Sequence, residues 1–294
     1  MEPARHDPTD TLGALRRKPL WVTPARAEGL EDAAFFSGAA LAQLHLALAQ
    51  DSLPHSLLRA RLALRAAEAC VAFSGRPERT GALRDALHLL RPGDLPGPAG
   101  ETYLAWRRAV EHPVSIRALC RALPAHAPEQ IATWLDAGTG APIHRAAMVL
   151  ERVLTEAPRA EVAALALADA ALARALGWRH VVPLLAAGMK RADLRKRGAG
   201  LRLALHRAVA ASAAHALGLA GDLARRAAHL NAVAPKLRAR GAGAAVAIFL
   251  TRDAIAPSAL PLPDRAARRL CDRLVELGAL RELTGRDSFR LYGL

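Results

Sequence analysis

Apolar residues recur at three- and four-residue intervals along most of the chain, the spacing of amphipathic or buried α-helices. Proline and glycine clusters cut that pattern into segments. The first long segment, Leu30 to Gln50, includes 18 residues without a charge, Ala33 to Gln50. Such a length approaches a membrane span. However, Ser37, Gly38, Gln43, His45 and Gln50 interrupt it and alanine outnumbers leucine, so a buried core helix is expected. Ser52-Leu53-Pro54 ends it. His55 to Phe73 predicts the next helix, with Leu57, Leu58, Leu62, Leu64 and Cys70 facing inward. Ser74-Gly75-Arg76-Pro77 turns the chain, and Glu78 to Leu90 predicts a third helix.

Arg91 to Gly100 holds three prolines and three glycines and is expected to be non-helical. Beyond it, helices are predicted over Glu101–Val110, Val114–Leu123, Pro128–Asp136, Ile143–Glu156 and Ala160–Leu176. Arg179 to Met189 is apolar but broken at Pro183. Two further helices are expected over Ala199–Leu217 and Leu223–Arg240, and Gly241-Ala-Gly243 opens Ala244–Leu250. Residues 1–28 carry Pro3, Pro8, Pro19 and Pro24 and are expected to form a flexible lead, with Leu20-Trp21-Val22 docking on the body. The expected organisation is therefore a lead over 1–28, a helical body over 29–240 and a separate C-terminal module over 241–294.

Period-two alternation is confined to the C-terminus. Pro263-Asp264 marks a helix start, with Asp264 as the expected cap. Leu270, Leu274 and Leu277 follow at i, i+4 and i+7, preceded by Ala266 and Ala267. Arg265, Arg268 and Asp272 project opposite that stripe, with Arg269 and Glu276 on its shoulder. Gly278 stands where a left-handed residue ends a helix. Thr284-Gly285-Arg286-Asp287 reads as a turn. Ser288 to Tyr292 reads as a half-buried strand, Phe289 and Leu291 on one side, Ser288, Arg290 and Tyr292 on the other. Helix, glycine stop and hairpin in that order resemble the second half of a winged helix-turn-helix. The full module has an earlier helix joined by a tight turn. Ala244–Asp253 would supply one helix, but Ala254 to Pro263 holds three prolines where the second belongs, so that helix must be short or missing.

Composition sharpens the class. Apolar residues make up 52% and aromatics only 4%, so alanine and leucine dominate, and both favour helix. The fold class expected is all-α: a multi-helix Ala/Leu-rich body with a C-terminal winged-helix-like module carrying a short β-hairpin. The net charge is +14 and the isoelectric point about 11.1, which favours polyanionic partners. Of 41 basic residues only Lys18, Lys190, Lys196 and Lys236 are lysine. Arginine and alanine excess together also follow from GC-rich codon usage, which lowers the weight of the charge. The most basic window runs from Lys190 to Arg207, with Lys190, Arg191, Arg195, Lys196, Arg197, Arg202 and Arg207 against Asp193. Its first five cations form a possible phosphate patch; the alternative is a solvated connector.

Catalytic signatures are missing. No Walker loop, GxSxG elbow or HExxH occurs. The histidines and cysteines show no zinc-ligand spacing, and no catalytic residue, metal, cofactor or small-molecule substrate is expected. Arg84, Asp85, His88, Arg91 and Asp94 cluster in sequence, with Asp85 and His88 on one helix face, but an ordinary ion pair or an anchored loop accounts for them. Cys70, Cys120 and Cys271 stand far apart, which suits reduced thiols, and the N-terminus lacks an apolar leader run. A cytoplasmic protein with no membrane partner is expected.

Four stretches carry a wider resemblance: LRDALHLLRPGDLPGPAG (Leu83–Gly100), ADAALARALGW (Ala168–Trp178), VAPKLRARGAGAAV (Val233–Val246) and the C-terminus. Together they resemble the bacterial domain-of-unknown-function family numbered fourteen-oh-three, which implies architecture and no established activity. The terminus alone resembles winged-helix modules of bacterial regulators, including those that end some Fic-type proteins, and this implies DNA binding. The expected function is a DNA-binding accessory or regulatory protein. Arg265, Arg268, Arg269 and Asp272 would face the groove, and Arg286 and Arg290 the backbone. The alternative is a helical protein–protein module, in which the terminal helix is structural or a homodimer contact. Seven arginines against five acids over 261–294 favour that alternative.

Overall fold

The computed structural model describes residues 29–91, 93–237, 240–286 and 288–294. The expected lead, with Leu20-Trp21-Val22, lies outside the described residues. Among those described, twelve α-helices and one small antiparallel sheet form: α1 (Leu30–Leu48), α2 (His55–Phe73), α3 (Thr80–His88), α4 (Gly97–Glu111), α5 (Ile116–Ala122), α6 (Pro128–Leu135), α7 (Pro142–Glu156), α8 (Glu161–Ala175), α9 (Leu185–Gly188), α10 (Gly198–Val233), α11 (Ala242–Phe249) and α12 (Asp264–Glu276), then β1 (Arg281–Glu282) and β2 (Tyr292–Gly293). The mostly helical class read from the Ala/Leu content is the class observed.

Two boundaries differ from expectation. The breaker cluster is helical in its last four residues, because Pro98 sits in the first turn of α4. There a missing N–H costs nothing and the fixed φ suits the helix. The two helices expected between 199 and 240 are a single 36-residue helix, α10. Gly218 and Gly221 do not interrupt it. A glycine inside a helix costs about 1 kcal/mol relative to alanine, less than the burial of Leu217, Ala220, Leu223 and Ala224 on the same turns returns. The run Gly198–Lys236 is also the one stretch among the described residues long and apolar enough to cross a membrane, and 56% of its most apolar window is buried within the protein.

The chain divides into two compact units. The described part of one comprises residues 43–58, 216–237, 240–286 and 288–294. That of the other comprises residues 29–42, 59–91 and 93–215. The border expected at residue 240 falls inside the first.

In the larger unit, α7 and α8 pair along their length. Every residue from Ala163 to Ala173 on α8 is buried. Seven of these are alanine, and the small side chains let neighbouring helices approach on every side. Trp106 and Trp134 are fully buried, and each indole N–H has an acceptor: Cys70 Sγ at 3.4 Å and Glu156 Oε2. Asp169 is the one carboxylate inside α8's buried span. Its two oxygens accept from Leu184 N and Leu185 N at 3.2–3.4 Å, where they cap the short helix α9. Burial drives its carboxyl well above the usual range, against those two backbone donors. Gly188 follows at the end of α9. A Cβ there would lie 2.4 Å from Ala208 O and 2.7 Å from Ala208 Cα, so only glycine permits this crossing of α9 and α10.

Candidate nucleic-acid interface

Helix α12 is built as its spacing predicts. Ala267, Leu270 and Leu274 are buried, Leu277 is half-buried, and Cys271 joins the same inward stripe. Gly278 ends the helix at φ 67°, and the N–H groups of Ala279 and Leu280 return to Leu274 O. The start differs from expectation. Asp264 is the first helical residue rather than the cap; Pro263 precedes it and no side-chain cap forms. Its carboxylate still sits beside the positive end of the helix.

The elements around α12 follow a definite order. After α11 the chain extends through Ile255, makes one 3-10 turn at Pro257–Ala259, and enters α12. The second helix that three prolines were expected to shorten is reduced to that turn. Ile255 then pairs with Tyr292: Ile255 N donates to Tyr292 O, and Tyr292 N to Ile255 O, both at 2.9 Å. On its other side Tyr292 is paired in register with Glu282, and Gly293 with Arg281. The strand positions therefore lie side by side as Ile255, β2, β1. Leu280, Leu291 and Leu294 in this segment are buried.

The outward face of α12 has two halves. Arg265, Arg268 and Arg269 occupy its first two turns and are exposed. No carboxylate ion pair joins any of the three among the described residues. Asp272 and Glu276 occupy the later turns. Asp272 accepts the Tyr292 hydroxyl at 3.3 Å, and Glu276 pairs with Arg273 at 3.0 Å. Asp272, Val275, Glu276, Glu282, Arg290 and Tyr292 line a hollow of about 180 Å³. Asp272, named with the groove-facing arginines from sequence, is thus tied to the last strand. On the other flank Lys236, Arg269 and Arg273, with Leu237, Ala266, Leu270 and Leu277, line an open groove of about 540 Å³.

The expected strand at Ser288–Tyr292 is largely absent. Among the described residues its ladder pairing is limited to Leu291, which accepts from Leu283 N at 2.8 Å, and Tyr292, which pairs with Glu282 and Ile255. Leu291 is buried as expected, but Phe289 is not on its side: it is 74% exposed. The cause is local. Phe289 has φ 54°, which reverses the extended chain and breaks the alternation. For a bulky L-residue that conformation costs about 1–2 kcal/mol.

The loop between the strands is braced at its base. Glu282 Oε1 accepts from Thr284 Oγ1 at 3.2 Å and from Arg286 N at 3.3 Å, and Thr284 Oγ1 accepts from Leu291 N at 3.3 Å. Arg290 Nε donates to Arg286 O at 3.0 Å and lies 3.7 Å from Glu282 Oε2. The Tyr292 hydroxyl and the Glu282 carboxylate beside it hold the Arg290 guanidinium pKa above its ordinary value. Arg290 therefore spans the loop rather than pointing away from it, though its side chain stays 42% exposed. Arg286 is half-buried.

The other candidates lie in the larger unit. Lys190, Arg191, Arg195, Lys196 and Arg197 are all exposed, on a 3-10 turn ahead of α10. Asp193 organises that turn: it accepts from Lys190 N at 2.9 Å and pairs with Lys196 Nζ at 2.7 Å. Arg197 donates to Leu194 O and Lys196 O. Two of the five cations are thus engaged locally. Asp94 anchors its loop by accepting from Arg91 N at 2.9 Å, while Asp85 is half-buried and His88 exposed on α3. No group of three or more metal-ligating side chains occurs among the described residues, and Cys70, Cys120 and Cys271 are free.

No curated protein matches the chain. A family model does, over residues 6–294, nearly the whole length; its description is a protein of unknown function, DUF1403. The chain belongs to the DUF1403 family.

Proposed function

We propose that the chain binds duplex DNA through its C-terminal segment, as an accessory or regulatory protein, with α12 in the major groove and the loop between β1 and β2 as a wing. The succession α11, Ile255, α12, β1 and β2, with Ile255 and β1 flanking β2, is that of a winged helix with the helix before α12 reduced to one 3-10 turn, and the strand order supports this reading. The observation that carries it is the exposed trio Arg265, Arg268 and Arg269 on the first two turns of α12. Helix-turn-helix proteins present base-contacting side chains from the N-terminal part of the recognition helix. An arginine bidentate to guanine discriminates by about 1–3 kcal/mol. Arg286 and Arg290 on the wing would contact phosphates, which add affinity without sequence preference.

Titration of a fluorescent duplex at two salt concentrations tests the proposal. Arg268→Ala should weaken binding and flatten sequence preference. Arg286→Ala should weaken all sequences alike and lower the salt slope by about 0.9 for one lost phosphate contact. If both variants bind like the parent at both salt concentrations, the reading is wrong.

A second reading, an interaction module that contacts a partner or a second copy through α12, is favoured by Asp272, Glu276 and Glu282 around the hollow beside β2. Light scattering of the parent and of Glu276→Arg separates the two. Dissociation of an oligomer by that change, with no DNA binding by the parent, would favour the module.

A further inference from the structure

Phe289 is in a position that folding alone does not explain. Its ring is 74% exposed, so it contributes little to the core. Its backbone adopts φ 54°, and it is the one non-glycine residue with positive φ among those described. Strain of this kind at an exposed side chain points to a role outside the fold. The loop that carries it is cross-braced by the hydrogen bonds of Glu282, Thr284 and Arg290 described above. Arg290 follows it directly in the chain, and Arg286 stands three residues before it, ahead of Asp287. An exposed apolar ring on a braced loop that also carries Arg286 and Arg290 has the chemistry of a side chain that enters the minor groove and separates a base step.

We propose that Phe289 is such a wedge: the wing enters the minor groove, Phe289 inserts between base pairs and bends the duplex, and Arg286 and Arg290 hold the adjoining phosphates. This inference rests on the DNA-binding reading. It adds that the target is DNA which bends, so flexible pyrimidine–purine steps should be favoured.

The test uses the full chain and a short duplex with a central TA step. The duplex carries a donor and an acceptor dye at its ends and 2-aminopurine beside the step. On binding, the parent should raise energy transfer and 2-aminopurine fluorescence. Phe289→Ala should still bind but lose both increases, and Phe289→Leu should keep part of them. Phe289→Gly, which removes the backbone strain, should melt no lower than the parent while losing both signals, which separates a DNA role from a structural one. If the parent binds and neither signal changes, or if Phe289→Ala gives the parent's signals, the wedge is overturned while DNA binding stands. If the parent does not bind the duplex at low salt, both fall.

Discussion

Tyr292 donates its hydroxyl to Asp272 across 3.3 Å, from the last strand to the outward face of α12. The same residue makes the backbone pairs to Ile255 and Glu282. Tyr292 thereby ties Ile255, β1 and α12 together in one place. Tyr292→Phe keeps the ring and the backbone pairs and removes only the hydroxyl. It should cost about 0.5–1.5 kcal/mol, read from urea unfolding. A loss no greater than error would mean that the hydroxyl bond contributes nothing.

Gly188 lies against the backbone of α10, where a Cβ would meet Ala208 O and Cα and, at 2.7 Å, Ser212 Oγ. Two of those three atoms belong to a helix backbone and have no rotamer to change. Gly188→Ala should destabilise by about 1–3 kcal/mol. Gly218→Ala, with nothing within 4 Å, should be neutral or stabilising, by up to about 1 kcal/mol. Paired denaturant melts of the two variants check this, and the prediction fails if they shift alike.

Asp169 caps α9 from inside the protein, with its carboxyl well above the usual range chiefly through burial. Below the unfolded value of 3.8 both states carry the proton. As pH rises past 3.8 the unfolded chain ionises while the folded one resists, so this group lowers stability toward neutral pH. Asp169→Asn keeps a carbonyl oxygen for Leu184 N and Leu185 N without the charge. It should be at least as stable as the parent at neutral pH and lose that advantage in acid. Asp169→Ala leaves both donors without an acceptor and should cost at least about 1–3 kcal/mol. Melting of all three proteins across pH gives the comparison.

His206 and His215 bring an opposite trend. Both are held below their ordinary value, first by burial and then by an arginine, Arg202 and Arg65 respectively. Arg65 donates to His215 Nε2 at 2.8 Å, so that nitrogen serves as the acceptor in a neutral ring and loses the bond on protonation. With folded values depressed, their stability is intact above 6.5 and declines as pH falls below it. The melting temperature should therefore drop on acidification through that range, and Arg65→Gln should reduce the drop. An unchanged slope in Arg65→Gln would assign the effect to other groups.

Helix positions were largely legible because period and punctuation are local. His55–Phe73 begins and ends where Pro54 and Gly75 imply, and Gly278 closes α12 as a left-handed stop. The failures share one cause. Ala199–Leu217 and Leu223–Arg240 read as two helices, and Arg91–Gly100 as wholly irregular, but glycine and proline propensities are weak beside burial or a first-turn position. At the candidate interface the outward arginines of α12 were legible from a 100° projection. That Asp272 is committed to Tyr292 and Arg290 to Arg286 and Glu282 was not, since those contacts depend on how the loop folds back and how β2 meets α12. Phe289 was misassigned because alternation assumes an extended backbone that its φ does not have.

By itself, then, the sequence determined an all-helical class, most helix spans, and a basic first half on the last helix, since composition, spacing and capping act within a few residues. Tertiary structure alone decided that Ile255 joins Tyr292 in the sheet, that Asp169 caps a helix fifteen residues away, and that Asp272 accepts the Tyr292 hydroxyl. Each depends on groups brought together from separate turns of the chain, where packing and hydrogen-bond satisfaction outweigh local preference.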